Sequence, residues 1–106
     1  MKIVNGKIVE TFLGFEDHGI FTFIISIEIE HYRQGFGLYS IESASALKQV
    51  LRTVGVNSWE ELKDKYVRVK YLSDEYCEKI HAIGHIMEEK WFSFEDKDKQ
   101  ETKIER

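Results

Sequence analysis

Apolar and polar positions alternate through "IFTFIISIEIE" (residues 20–30). Phe21, Phe23, Ile25, Ile27 and Ile29 alternate with Thr22, Ile24, Ser26, Glu28 and Glu30. A period of two in β-branched and aromatic residues predicts a half-buried strand. One face goes to the core, and the other, ending in two glutamates, goes to water. "GKIVETFLGF" (6–15) reads as a preceding strand with Val9, Thr11, Leu13 and Phe15 on one side. "EDHG" (16–19) supplies a tight turn between them, because Asp and Gly tolerate the backbone angles a hairpin needs. "RQG" (33–35) is expected to turn the chain again into "FGLYSI" (36–41), which completes an antiparallel meander.

At Glu42 the period changes. Ala46, Leu47, Val50, Leu51 and Val54 recur at helical spacing, with Ser43 as the expected N-cap and Gly55 as the left-handed stop. "SWEE" predicts a second, short helix opened by a capping box between Ser58 and Glu61. "KYVRVKYL" (65–72) returns to alternation, Val67, Val69 and Tyr71 opposing Tyr66, Arg68 and Lys70, and "SDEY" (73–76) is turn chemistry. The stretch 78–87 carries Ile80, Ala82, Gly84 and Ile86 on one face of a strand, with Lys79, His81, Ile83 and His85 on the other. As a helix it would scatter its apolar residues and lose about 1 kcal/mol at Gly84 relative to alanine.

The predicted order is β-β-β-α-(short helix)-β-β. It is an α+β domain over residues 1–94, a five-stranded curved antiparallel sheet packed with one main helix. An OB-like barrel is the alternative architecture. Residues 95–106, "EDKDKQETKIER", mix both charges around one large apolar group and read as a charged, disordered tail.

The strand reading decides the chemistry of "CEKIHAIGHI" (77–86), where Cys77, His81 and His85 stand four apart. Residues four apart on a strand are separated by about 13 Å, whereas zinc lies about 2.1 Å from a histidine nitrogen. His81 and His85 are therefore expected as partly exposed strand residues, with no metal and no cofactor. His18 and His31 lie far off in sequence. Gly-x-Gly in "RQGFGLY" lacks the third glycine and following helix of a dinucleotide fingerprint, so a bulge or close backbone approach explains it better. No glycine-flanked nucleophile elbow is present, and acidic Glu75 and Glu78 disfavour a reactive thiolate at Cys77. Glu28 and Glu30, roughly 7 Å apart on one strand face, would suit a carboxylate pair but are expected to be solvated. The reading is a non-catalytic protein.

Charge narrows the partners. The chain of 106 residues has a formal net charge of −4, from 15 basic and 19 acidic residues, and one cysteine. Up to Ser45 the basic residues are Lys2, Lys7 and Arg33 alone, against six acidic ones. Nucleic-acid binding through a barrel face is thus disfavoured, since Arg33, Arg68 and Lys70 alone would serve it. Ile20–Ile29 is too interrupted to span a membrane. The lone cysteine and the absence of a signal-like start lead to a cytoplasmic expectation. The exposed edge "EIEHYRQ", with carboxylates offered to a basic surface, is the expected contact region for a protein partner. The candidate binding residues are Glu28, Glu30, Tyr32 and Arg33 within it and Tyr39 beyond it. "EEKWFSFED" (88–96) adds Phe92 as a candidate contact and Trp91 as a lid over the open sheet. An uncovered edge strand would also permit a homodimer. A small enzyme with an unrecognised site is the remaining alternative.

Taken together, "MKIVNGKIVET…LGFEDHGIFTF", "GFGLY", "SWEELKDKYVRVKY" and "IHAIGHIMEEKWF" resemble a group of small phage and prophage proteins of no known activity. The resemblance covers about residues 1–94. In that group the "LKDKYVRV" segment often has glycine at the position of Asp64. It implies a mobile-element origin, supplies no activity and carries over no site residues. Together with the small size, the acidic balance and the missing catalytic motifs, it leads to the expectation of a host or phage protein as partner, in an accessory or anti-defence role within the host cell.

Overall fold

The computed structural model describes residues 1–38, 41, 44–74 and 78–94. Its elements are β1 (Lys2–Phe15), β2 (Phe21–Ile29), β3 (Tyr32–Leu38), α1 (Ser45–Val54), a 3-10 turn (Trp59–Leu62), β4 (Tyr66–Tyr71), β5 (Ala82–His85) and β6 (Trp91–Ser93). The strands form one antiparallel sheet in the order β3-β2-β1-β4-β5-β6. The α+β class, the meander and the single main helix agree with the sequence reading. The strand count is corrected from five to six, because "WFS" pairs with β5 instead of lying loose over the sheet.

The fourteen-residue β1 organises the sheet. Lys2–Lys7 pair with β4 and Lys7–Phe15 pair with β2, and the register shifts between Ile8 and Glu10. An extra residue there bends the strand and increases its twist, so the two flanks curl toward one another. A Cβ at Gly6 would lie 2.5 Å from Ile27 Cγ2, so the bare glycine lets β2 side chains cross the concave side. Phe36 of β3 then meets Phe92 of β6 edge-on at 6.1 Å and stacks on Phe94 at 4.8 Å. Among the described residues no backbone pairing joins β3 to β6, and the expectation of a closed barrel is corrected to an open sheet whose ends touch through rings.

Helix α1 packs on β5 and β6. Ala46, Val50 and Val54 are buried with Ile8, Phe23, Ile25, Ile27, Val67, Val69, Ile83 and Phe92. It ends as expected at Gly55, φ 91, whose N–H donates to the Leu51 carbonyl at 2.8 Å. Its N-cap is Ala44, with no side-chain cap, and the proposed cap Ser43 lies outside the described residues. Ser58 and Glu61 do meet, but hydroxyl to carboxylate at 3.1 Å, without the reciprocal backbone bonds of a capping box.

The β2–β3 turn is Glu30–His31, with Glu30 at φ 55, and "RQG" lies within β3. Asp64 stands at φ 73 just before β4, a left-handed geometry that costs a residue with a Cβ and suits glycine. The expected strand 78–87 is confined to Ala82–His85, and its faces are reversed. Ile83 and His85 oppose the core residues Val69 and Val67, while Ala82 and Gly84 oppose Lys70 and Arg68 on the convex side. Both small residues are buried there, Gly84 beneath the Trp91 ring, which an apolarity count cannot anticipate. Tyr39, Cys77, Glu75 and Tyr76 of "SDEY" and the 95–106 tail lie outside the described residues.

Candidate interaction surface

Registers assign the convex face residue by residue. One row crosses it as Arg33, Glu28, Lys7 and Tyr66, on β3, β2, β1 and β4. Lys7 is engaged, its Nζ 3.9 Å from Asp64 Oδ1 and 5.9 Å from the Tyr66 ring centroid. Glu28 and Arg33 are exposed, and among the described residues they make no ion pair with each other although they face across the ladder. Glu30 is exposed in the turn beside them.

Toward the other end of β2 the same face turns apolar. Phe12 of β1 sits directly opposite Ile24 of β2, and they are 43% and 44% exposed. Among the described residues nothing large covers them. A Cβ at Gly14 would meet the Phe12 ring at 3.4 Å, and one at Gly35 would meet Ile24 Cγ2 at 3.5 Å. On the concave side of this hairpin Leu13 is also exposed, and Phe15 is 72% exposed, with its ring 5.1 Å from Phe21. The tip is held rigidly. Glu16 accepts from the backbone N–H of Ile20 at 3.2 Å, and its backbone N–H donates to the Ile20 carbonyl at 3.0 Å. Gly19 closes the turn at φ 79.

The six proposed contact residues do not form one surface. Glu28, Glu30 and Arg33 gather at one end of the β2–β3 hairpin. Tyr32 points the other way, its hydroxyl 3.4 Å from that of Tyr71, which donates to Gln34 Oε1 at 2.7 Å. Burial, then the Tyr32 hydroxyl, push the Tyr71 phenol well above its ordinary range. Phe92 is 0% exposed among Phe36 and Phe94 and belongs to the core, so its proposed contact role is corrected. Tyr39 lies outside the described residues.

The sequence reading does not single out Phe12, Leu13, Phe15 and Ile24, which are exposed together on the β1–β2 hairpin. A signal existed: consecutive Phe12 and Leu13 must point to opposite faces of a strand, so one of them leaves the core side.

Trp91 is no lid over the sheet's end. It folds across β5 onto Gly84, where a Cβ would lie 2.6 Å from the ring. Lys70 Nζ is 4.1 Å and the Arg68 guanidinium carbon 4.6 Å from its ring centroid. Glu89 completes the cluster, 3.1 Å from Arg68 Nη1 and accepting from Trp91 Nε1 at 3.3 Å. The Trp91 hydrogen bond, then Arg68, hold the Glu89 carboxyl below the usual glutamate range. Arg68 also donates to the carbonyls of His85 at 2.8 Å and Glu88 at 2.7 Å. Two of the three cations that could serve nucleic acid are thus committed within the fold. Among the described residues no group of three or more His, Cys, Asp or Glu side chains is placed to hold a metal ion. No helix there is long and apolar enough to cross a membrane. Comparison of the chain with protein-family models, curated proteins and solved structures finds no significant match.

Proposed function

We propose that the protein is a non-catalytic binding module that engages another protein through the tip of its β1–β2 hairpin and the adjoining convex face. One observation carries this reading: Phe12, Leu13, Phe15 and Ile24 are exposed together on a single hairpin. Phe12 and Ile24 adjoin on the convex face and Leu13 and Phe15 are exposed on the concave face of the same tip, and grouped apolar exposure marks an interaction site where a single exposed apolar residue does not. The hydrogen-bonded turn limits the ordering cost of docking. Glu28, Glu30 and Glu10 flank the patch on the same face or beside it, so the partner presents basic groups around an apolar socket. The resemblance to small phage proteins makes a host protein the first class of partner to test, in an accessory or anti-defence role.

The test is site-specific photocrosslinking in cells that naturally contain the protein. A benzophenone amino acid at position 15 should capture a discrete partner, and one at exposed Lys48 on α1 should not. Phe12→Ser should weaken the captured complex at least tenfold, equivalent to about 1.4 kcal/mol. Equal capture from both positions, or none from position 15, overturns the reading.

A further inference from the structure

His85 organises the turn between β5 and β6 through its ring. Its side chain is 19% exposed and lies against Gly55 at the end of α1, where a Cβ would meet the ring at 3.3 Å. Nδ1 accepts two backbone N–H groups, Met87 at 3.0 Å and Glu88 at 2.9 Å. A nitrogen that accepts carries no proton, so the ring's own proton is on Nε2, 3.5 Å from Glu88 Oε2. The turn so formed does more than connect β5 to β6. It supplies both carbonyls that Arg68 binds and places Glu89 against Arg68 and Trp91.

We infer that His85 is an acid-sensitive latch: protonation at Nδ1 releases the 86–90 turn and uncovers the Arg68–Lys70–Trp91 cluster on the convex face. Imidazoles titrate between pH 5 and 8. In the cation both nitrogens are donors, so Nδ1–H faces two amide donors and both hydrogen bonds are lost together. The ring faces the end of α1 at Gly55, where any residue with a Cβ would crowd it at 3.3 Å. The charged groups around the latch are Glu88 at Nε2, Arg68 on the His85 carbonyl, Glu89 on Arg68, and Lys90, whose Nζ is 3.8 Å from Glu88 Oε1. From α1 the neighbour is Gly55, and from β6 it is Trp91, neither of which titrates. Glu88 attracts the cation but bonds Nε2, so it does not replace the acceptor that the turn loses. The inference is independent of the proposed hairpin contact.

Proton–nitrogen correlation spectra of the full chain, recorded from pH 8 to pH 5, test it. The Met87 and Glu88 amide signals and the Trp91 indole signal should shift together with the His85 imidazole. Amide exchange of Met87 and Glu88, corrected for the intrinsic pH dependence, should accelerate at least tenfold. His85→Asn, whose Oδ1 accepts without titrating, should hold the turn at both ends of the range. Glu88→Gln should keep the transition. Amide signals that stay still while the imidazole titrates overturn the inference, as does the same transition in His85→Asn or its disappearance in Glu88→Gln.

Discussion

The convex face has two halves that share one sheet and differ in what they leave exposed. Across β4, β5 and β6 the polar and aromatic groups satisfy one another: Trp91 fills the space over Gly84, Arg68 and Lys70 lie on its ring, and Glu89 neutralises Arg68. Across β1, β2 and β3 the glycines are bare, Phe12 and Ile24 face solvent, and Glu28 and Arg33 stand unpaired among the described residues. Both halves carry glycine on the outward face. What separates them is whether a neighbouring strand brings a large ring to cover it. β6 does so on one flank, and on the other β3 carries Gly35 and Gly37 toward the same side. The covered half satisfies itself, and the bare half leaves its apolar and charged side chains exposed.

The contrast is broken most severely at the rings. Phe92→Ala should cost about 3–5 kcal/mol, the range for truncating a buried aromatic, whereas Phe15→Ala should change stability by about 0.5 kcal/mol or less, as for most exposed positions. Urea unfolding of the two variants measures the difference, and a similar loss in both would remove the distinction between core and contact surface.

Glycine substitutions sharpen it at a smaller scale. Gly84→Ala forces Trp91 off the sheet and should cost about 1–3 kcal/mol, as overpacking does. Gly35→Ala meets only Ile24 Cγ2, at 3.5 Å. It should be neutral or stabilising by about 0.5 kcal/mol, because alanine restricts the unfolded chain. Thermal melts of the pair decide it.

The acid response of the covered half follows from Glu89. Its carboxyl is held below the usual range in the folded chain by Trp91 and Arg68. Its contribution is therefore complete above the ordinary glutamate pKa and is lost as pH falls through the lower folded value. Glu89→Gln should reduce stability at neutral pH, and the gap from the unsubstituted chain should close as acid protonates Glu89. A gap that stays constant with pH would show the carboxylate to be uninvolved.

The smallest effect is expected at the junction of the halves. Asp64→Gly relieves the left-handed backbone at φ 73 and gives up a long, exposed contact to Lys7. The net gain should be within about 1 kcal/mol, while Asp64→Val, β-branched in that geometry, should lose stability. Calorimetry of both variants checks the sign.

Alternation in 20–30, the helical spacing from Ala46 to Val54 and the turn residues of "EDHG" were enough to place β2, α1 and the first hairpin. These features are local: a strand or helix needs one face apolar, and the period shows in adjacent residues. They also made the edge at Glu28 visible as polar. The chain could not show locally which side of 82–85 is covered, because Gly84 is buried by a tryptophan that arrives from another strand. Nor could it show that Phe12 and Leu13 both remain exposed, which depends on how far the hairpin outruns the core beneath it. Burial is a property of the neighbours a residue acquires. The repeating pattern therefore determined the elements and their class, and the curl of the sheet about the β1 bulge decided which residues remain exposed.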